Sequence, residues 1–89
     1  MASSSREQRR AKVMLEIFDE LHRQDEKWGN QADKTQETWH LILAEEVGEV
    51  ANALLEGKNW EETRKELLQV AAVAFTWVVY KDRAEYVNA

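Results

Sequence analysis

No proline interrupts this chain, and glycine occurs only at positions 29, 48 and 57. Proline would remove a helical hydrogen bond and clash with the preceding turn. Its absence, beside many strong helix formers and apolar residues that return with a 3.6-residue period, makes the expected fold class all-α. The 89 residues suffice for a single domain spanning 1–89. A chain of that size buries only a modest share of its surface, so an oligomeric helical bundle is expected.

Three helices are predicted. The first covers about residues 5–28, after a flexible start at about 1–5, and carries Ala11, Met14, Leu15, Phe18 and Leu21 as an apolar stripe. At 1.5 Å per residue it is roughly 35 Å long. A polar connection, WGNQADKTQET, follows, with Gly29 and Asn30 as terminators and Thr35 or Thr38 as the next N-cap. The second helix is predicted from Trp39 to Leu55, stopping at Gly57, where glycine accepts left-handed dihedrals without a Cβ penalty. NWEE then opens the third helix, Asn59 capping it and Glu62 completing a capping box. So short a turn sets helices two and three as antiparallel neighbours, a helical hairpin to which the long N-terminal helix is added. A polar C-terminal tail, KDRAEYVNA, occupies about 81–89.

Composition narrows the function classes. Without cysteine there is no disulfide framework, thiol nucleophile or thiolate metal site. The formal net charge is -5, and the basic cluster Arg6, Arg9, Arg10 and Lys12 is interrupted by Glu7. That balance argues against nucleic-acid binding, whose affinity rests on neutralising phosphates. The longest strongly apolar run, Leu67 to Tyr80, contains Gln69 and Thr76 and is too short to cross a bilayer, so no membrane role is expected. The first residues carry positive charge but no apolar signal region, and the expected location is the cytoplasm.

Inside the otherwise apolar stretch LILAEEVGEVANALLEG stand three carboxylates, Glu45, Glu46 and Glu49. On a helical wheel Leu43, Val47, Val50 and Leu54 define the main inward stripe, with Glu46 and Glu49 at its edge and Glu45 further round. In the third helix the corresponding stripe is Leu67, Val70, Ala71, Ala74 and Val78. Glu62 and Glu66 share a face there, and Gln69, Val73 and Trp77 continue that flank. Antiparallel pairing of the two helices brings the five acids toward one pocket. Like charges at such spacing repel, and burial raises the cost. A divalent cation offsets both, and an oxygen-rich site that leaves water on the ion suits magnesium or manganese. Such an ion bridges phosphate oxygens and activates water, which points to phosphoanhydride hydrolysis. Lys65, Lys81 and Arg83 are the candidate phosphate-binding cations, and Trp28 and Trp39 the aromatic groups available to stack on a base. The plain alternative for the acids is a solvated helix flank paired with basic residues. His22 and His40 are expected on a helix surface or in packing rather than as ligands. The third helix is apolar nearly all round, a surface that one partner helix cannot cover, so a homodimer or homotetramer is expected.

The acidic motif EEVGE, the following helix KELLQVAAVAFTW and the ending RQDEKWG of the first helix together resemble the MazG-like family of all-α nucleoside triphosphate pyrophosphatases. The resemblance spans about residues 11–80. It implies a magnesium-dependent cleavage of a nucleoside or deoxynucleoside triphosphate between the α and β phosphates, giving the monophosphate and pyrophosphate. It also implies that Glu46 and Glu49 are metal ligands, Glu45 a ligand or the base that orients water, and Glu66 the first acid of the second motif. Where the family commonly has an aspartate three residues later, this chain has Gln69. An amide oxygen ligates a metal or orients water but brings no negative charge and cannot act as a base. Glu62 is the nearby acid able to compensate. The alternative is a non-catalytic helical module that binds nucleotide or metal.

Overall fold

The computed structural model describes residues 2–87, with side chains described for 5–83. Among the described residues the chain forms three helices and no strand: α1 (Ala2–Trp28), α2 (Gln36–Leu55) and α3 (Trp60–Val87). The result is an all-α, three-helix bundle. α1 begins at Ala2, within the segment expected to precede it, and α3 carries the backbone of the expected polar tail as far as Val87. None of these helices is long and apolar enough to cross a membrane.

The boundaries follow from local hydrogen bonding. Gly29, at φ 65°, ends α1, its N–H donating to the Asp25 carbonyl at 2.7 Å. Thr35 rather than Thr38 caps α2: its Oγ1 accepts the Thr38 N–H at 3.1 Å, and the helix therefore starts three residues before Trp39. At the other end Gly57, at φ 71°, lets the Lys58 N–H reach the Ala53 carbonyl at 2.9 Å and its own N–H reach Leu54 at 3.2 Å. These two bonds satisfy carbonyls that a helix end otherwise leaves open. Asn59 starts α3, its Oδ1 accepting the Glu62 N–H at 2.9 Å, while the Glu62 carboxylate lies 3.9 Å from the Lys58 ammonium.

Both α1 and α2 pack against α3. The fully enclosed apolar core is small: Trp39, Ala53, Ala72 and Val73. Ala72 and Val73 are its most enclosed members, and the Trp39 ring is stacked at 26° and 6.0 Å on Tyr80. The buried hydroxyls of Thr63 and Thr76 donate to the carbonyls four residues back, so neither brings an unmet polar group into the interior. Arg64 donates from both terminal guanidinium nitrogens to the Glu16 carboxylate and so ties α3 to α1, beside an edge-on contact of Phe18 with Phe75. Trp77 Nε1–H donates to Gln36 Oε1 at 2.5 Å, tying α3 to the first turn of α2.

α2 is rotated from the orientation its most apolar stripe suggests. Val47 is 50% exposed and Leu54 64% exposed, whereas Trp39 and Ala53 are buried. On α3 the expected stripe members Leu67 and Val78 are likewise exposed, and Thr63, Ala72, Val73 and Thr76 lie inside. Much of the α1 stripe, including Met14 and Leu15, is also uncovered. The packed face is set by small side chains that permit close helix approach and by polar pairing across it.

Candidate functional site

Trp39, Glu46 and Ala53 are spaced by seven residues, two helical turns, and so share one face of α2. The outer two are buried, which puts Glu46 in the packed face rather than at its edge, half-buried against α3. Facing it on α3 are Glu66 and Gln69, both partly buried. In the amide orientation that satisfies its neighbours, Gln69 Nε2 donates to Glu66 Oε2 at 3.0 Å and to Glu46 Oε2 at 3.1 Å. One neutral amide thus bridges the two acidic motifs.

Burial pushes the Glu46 carboxyl above the usual carboxylate range, and the charges of Glu66, Glu45, Glu49 and Glu20 push it further the same way. Glu45 and Glu49 themselves are exposed, on one flank of Glu46. Glu20 comes from α1. Partial burial raises its pKa, but hydrogen bonds from Arg23 and Gln24, with the charges of Arg23 and Lys65, outweigh burial and hold it below the ordinary value. Arg23 grips Glu20 with two bonds, Nε to Oε1 at 2.9 Å and Nη2 to Oε2 at 2.6 Å. Its own pKa is raised first by that hydrogen bond and, against some desolvation, by the charges of Glu20 and Glu46. A carboxylate cluster edged by a guanidinium is what the three helices build here.

Two depressions open on this cluster. The first, about 270 Å³, is lined by Glu45 and Glu46, the aromatic rings of Trp28 and Trp39, the aliphatic Ile42 and Val73, and the polar Gln24, Gln31 and Lys34. The second, about 190 Å³, is lined by Glu49, Glu62 and Glu66 with Asn52, Ala53, Glu56 and Lys58. Lys58 stands between two acids there, its ammonium 3.8 Å from Glu56 and 3.9 Å from Glu62. The acids of the two motifs therefore divide between adjoining spaces. Among the described residues no three His, Cys, Asp or Glu side chains form a group that could hold a metal ion.

The remaining sequence-derived candidates are dispersed. Lys65 lies close enough to Glu20 to lower its pKa. Lys81 lines a third depression of about 210 Å³ with Lys34, Trp39, Trp77 and Tyr80, and Arg83 is exposed further along α3. Trp28 and Trp39 line the same cavity but differ in kind: Trp28 is 42% exposed, while Trp39 is 3% exposed and already stacked on Tyr80. His22 and His40 are both exposed.

Sequence reasoning missed Glu20, Arg23, Gln24, Gln31, Lys34 and Lys58. For Gln24 a signal existed, since it stands three residues after Leu21 and continues the stripe's period with a polar side chain. Gln31 and Lys34 lie in the connection, where periodicity says nothing. No protein-family model, curated protein or solved structure matches the chain.

Proposed function

We propose that this chain is a MazG-like nucleoside triphosphate pyrophosphohydrolase, using magnesium or manganese to hydrolyse a nucleoside or deoxynucleoside triphosphate to the monophosphate and pyrophosphate. The observation that carries this reading is the bridging of Glu46 and Glu66 by Gln69, which joins the two acidic motifs across α2 and α3. The carboxylate oxygens of Glu46 and Glu66 suit a hard divalent cation, and Gln69, whose NH2 faces them, would have to turn its oxygen inward to join them. Glu46, Glu49 and Glu66, which do not stand together as a ready ligand set, would have to converge to hold the ion, with Glu45 as a further ligand or the water-orienting base and Glu62 or Gln69 in reserve. Magnesium commonly keeps several waters and takes phosphate oxygens from its substrate, so a site short of protein ligands by itself accords with this use. When bound, the ion supplies charge neutralisation at the phosphates and a more acidic water.

The chain's own residues do the rest. Glu45, exposed beside Glu46, is free to accept a proton from water. Arg23 offers a planar fork to phosphate oxygens in exchange for Glu20, and Lys58 and Lys65 stand near the acids as further cations; Lys81 and Arg83 are more remote. The base goes to the cavity beside Trp28 and Trp39. In this reading α2 and α3 form an antiparallel hairpin, and the uncovered stripes on α1 and α3 are buried in a homodimer or homotetramer. The protein works in the cytoplasm on free nucleotides, with neither nucleic acid nor membrane as partner.

A second reading is favoured by the same amide. Gln69 neutralises part of the repulsion between Glu46 and Glu66 without an ion, as suits a module that binds nucleotide or metal and does not turn it over. Product analysis with each common ribo- and deoxyribonucleoside triphosphate, in magnesium or manganese, separates the two. Monophosphate and pyrophosphate that disappear in Glu49→Ala are expected. Saturable binding without product, with either ion, overturns the enzymatic reading in favour of the module.

A further inference from the structure

Gln24 and Gln31 are among the most enclosed polar side chains of the protein, 3% and 4% exposed, and both line the cavity beside Trp28. Buried amides are expected to be fully hydrogen-bonded, because each unmet donor or acceptor costs about 1–3 kcal/mol. Each is tied by one half. Gln24 Nε2 donates to Glu20 Oε2 at 2.9 Å, and Gln31 Oε1 accepts from the Lys34 ammonium at 3.2 Å. The halves left over are a carbonyl oxygen on Gln24 and an NH2 on Gln31. Among the described residues no solvent-inaccessible side-chain nitrogen or oxygen lacks a partner. The leftover halves therefore keep access to solvent, on two residues that both line the cavity. The ties also fix which half is offered: Gln24 cannot turn without losing Glu20, nor Gln31 without losing Lys34.

The residues lining the cavity thus hold a fixed acceptor and a fixed donor, beside the half-exposed Trp28, whose ring carries the Lys27 ammonium 5.1 Å from its centroid, and the aliphatic side chains of Ile42 and Val73. A planar heteroaromatic ring with a donor next to an acceptor on its edge satisfies all of these at once. We infer that Gln24 and Gln31 are the specificity-determining residues of the site, reading the hydrogen-bonding edge of a nucleobase packed against Trp28. The inference rests on the nucleotide reading for the identity of the ring, but not on hydrolysis. It assigns base choice to α1 and the connection after it, in a cavity that Glu45 and Glu46 of α2 also line. A pocket that hydrogen-bonds its ligand's edge discriminates strongly, because the wrong edge leaves buried groups unpaired.

Free nucleosides isolate this contribution, since they carry neither phosphate nor a bond to be hydrolysed. The full chain is titrated with adenosine, guanosine, cytidine, uridine and thymidine without metal, following tryptophan fluorescence, beside Gln24→Met and Gln31→Met. One nucleoside is expected to bind at least about tenfold more tightly than the weakest, and each substitution to reduce that preference about tenfold with helix content intact. Gln31→Glu, which keeps the shape and replaces the donor with an acceptor, is expected to shift the ranking toward rings that present donors. This second variant serves if either methionine substitution prevents folding. No saturable quenching by any nucleoside, or an unchanged ranking in the variants, overturns the inference. Turnover of triphosphates with an unchanged ranking leaves the hydrolase standing and removes these residues from base choice; selective nucleoside binding without turnover does the reverse.

Discussion

The Gln69 amide lies between two carboxylates from different helices, 3.1 Å from Glu46 Oε2 and 3.0 Å from Glu66 Oε2. It supplies donors where a resident acid would supply a third negative charge. Gln69→Glu is expected to lower the melting temperature in the absence of divalent ions and to enlarge the rise that magnesium produces. A ligand that binds only the native state stabilises it by about 2.7 kcal/mol at a hundred times its dissociation constant, so tighter binding appears directly as a larger shift. Thermal melts of both proteins with and without magnesium check this. Equal magnesium shifts in the two would rule out a role for position 69 beside the ion.

The shifted carboxyls give the pH dependence a sign. Glu46 is raised in the fold, so it favours the native state most below the ordinary carboxyl range, and that contribution is lost as pH rises through its raised value. Glu20 and Glu16 are lowered, the latter by its hydrogen bond from Arg64, so theirs is present above the ordinary range and lost as pH falls. Without metal, Glu46→Gln is therefore expected to raise stability at neutral pH and Glu20→Gln to reduce it. Melting temperatures recorded from acid to neutral pH test both signs, and a rise for Glu20→Gln would contradict the second.

The two tryptophans of the cavity should separate cleanly. Trp39→Ala removes a buried ring and its stacking on Tyr80, with an expected cost of about 3–5 kcal/mol. Trp28→Ala removes a ring that is 42% exposed, and its cost should be clearly smaller than that of Trp39→Ala. Urea denaturation measures both. The nucleoside-dependent fluorescence change should disappear in Trp28→Ala while the fold persists.

Asn59 holds the first turn of α3 through one side-chain bond to the Glu62 N–H. Asn59→Ala is expected to cost about 1 kcal/mol, or about 4–8 °C in melting temperature for a domain of this size. Asn59→Asp, which keeps the acceptor, should retain most of the stability. A neutral Asn59→Ala would show that α3 is held by packing alone.

Turn chemistry was readable from the sequence because it is local. Gly29 and Gly57 adopt positive φ where the sequence places terminators, Asn59 caps α3, and Thr35, one of the two candidate caps in its segment, opens α2. The glutamates of the two motifs were recognisable for a similar reason: three- and four-residue spacing places side chains on a shared flank whatever surrounds the helix. The burial pattern was not. The wheel of α2 favours Leu43, Val47, Val50 and Leu54, yet Val47 and Leu54 are exposed while Glu46 sits between the buried Trp39 and Ala53.

By itself the sequence determined three helices, the turns at Gly29 and Gly57 that separate them and the spacing of the acids, since backbone preference and short-range hydrogen bonds act over a few residues. Only the tertiary structure decided that Gln69 would bridge Glu46 and Glu66, that α1 would bring Glu20, Arg23 and Gln24 to them, and that Gln31 would line the same cavity as Gln24. Those meetings depend on how each helix turns about its own axis. That rotation is set by small buried side chains and cross-helix polar pairs, which helical periodicity within one segment does not encode.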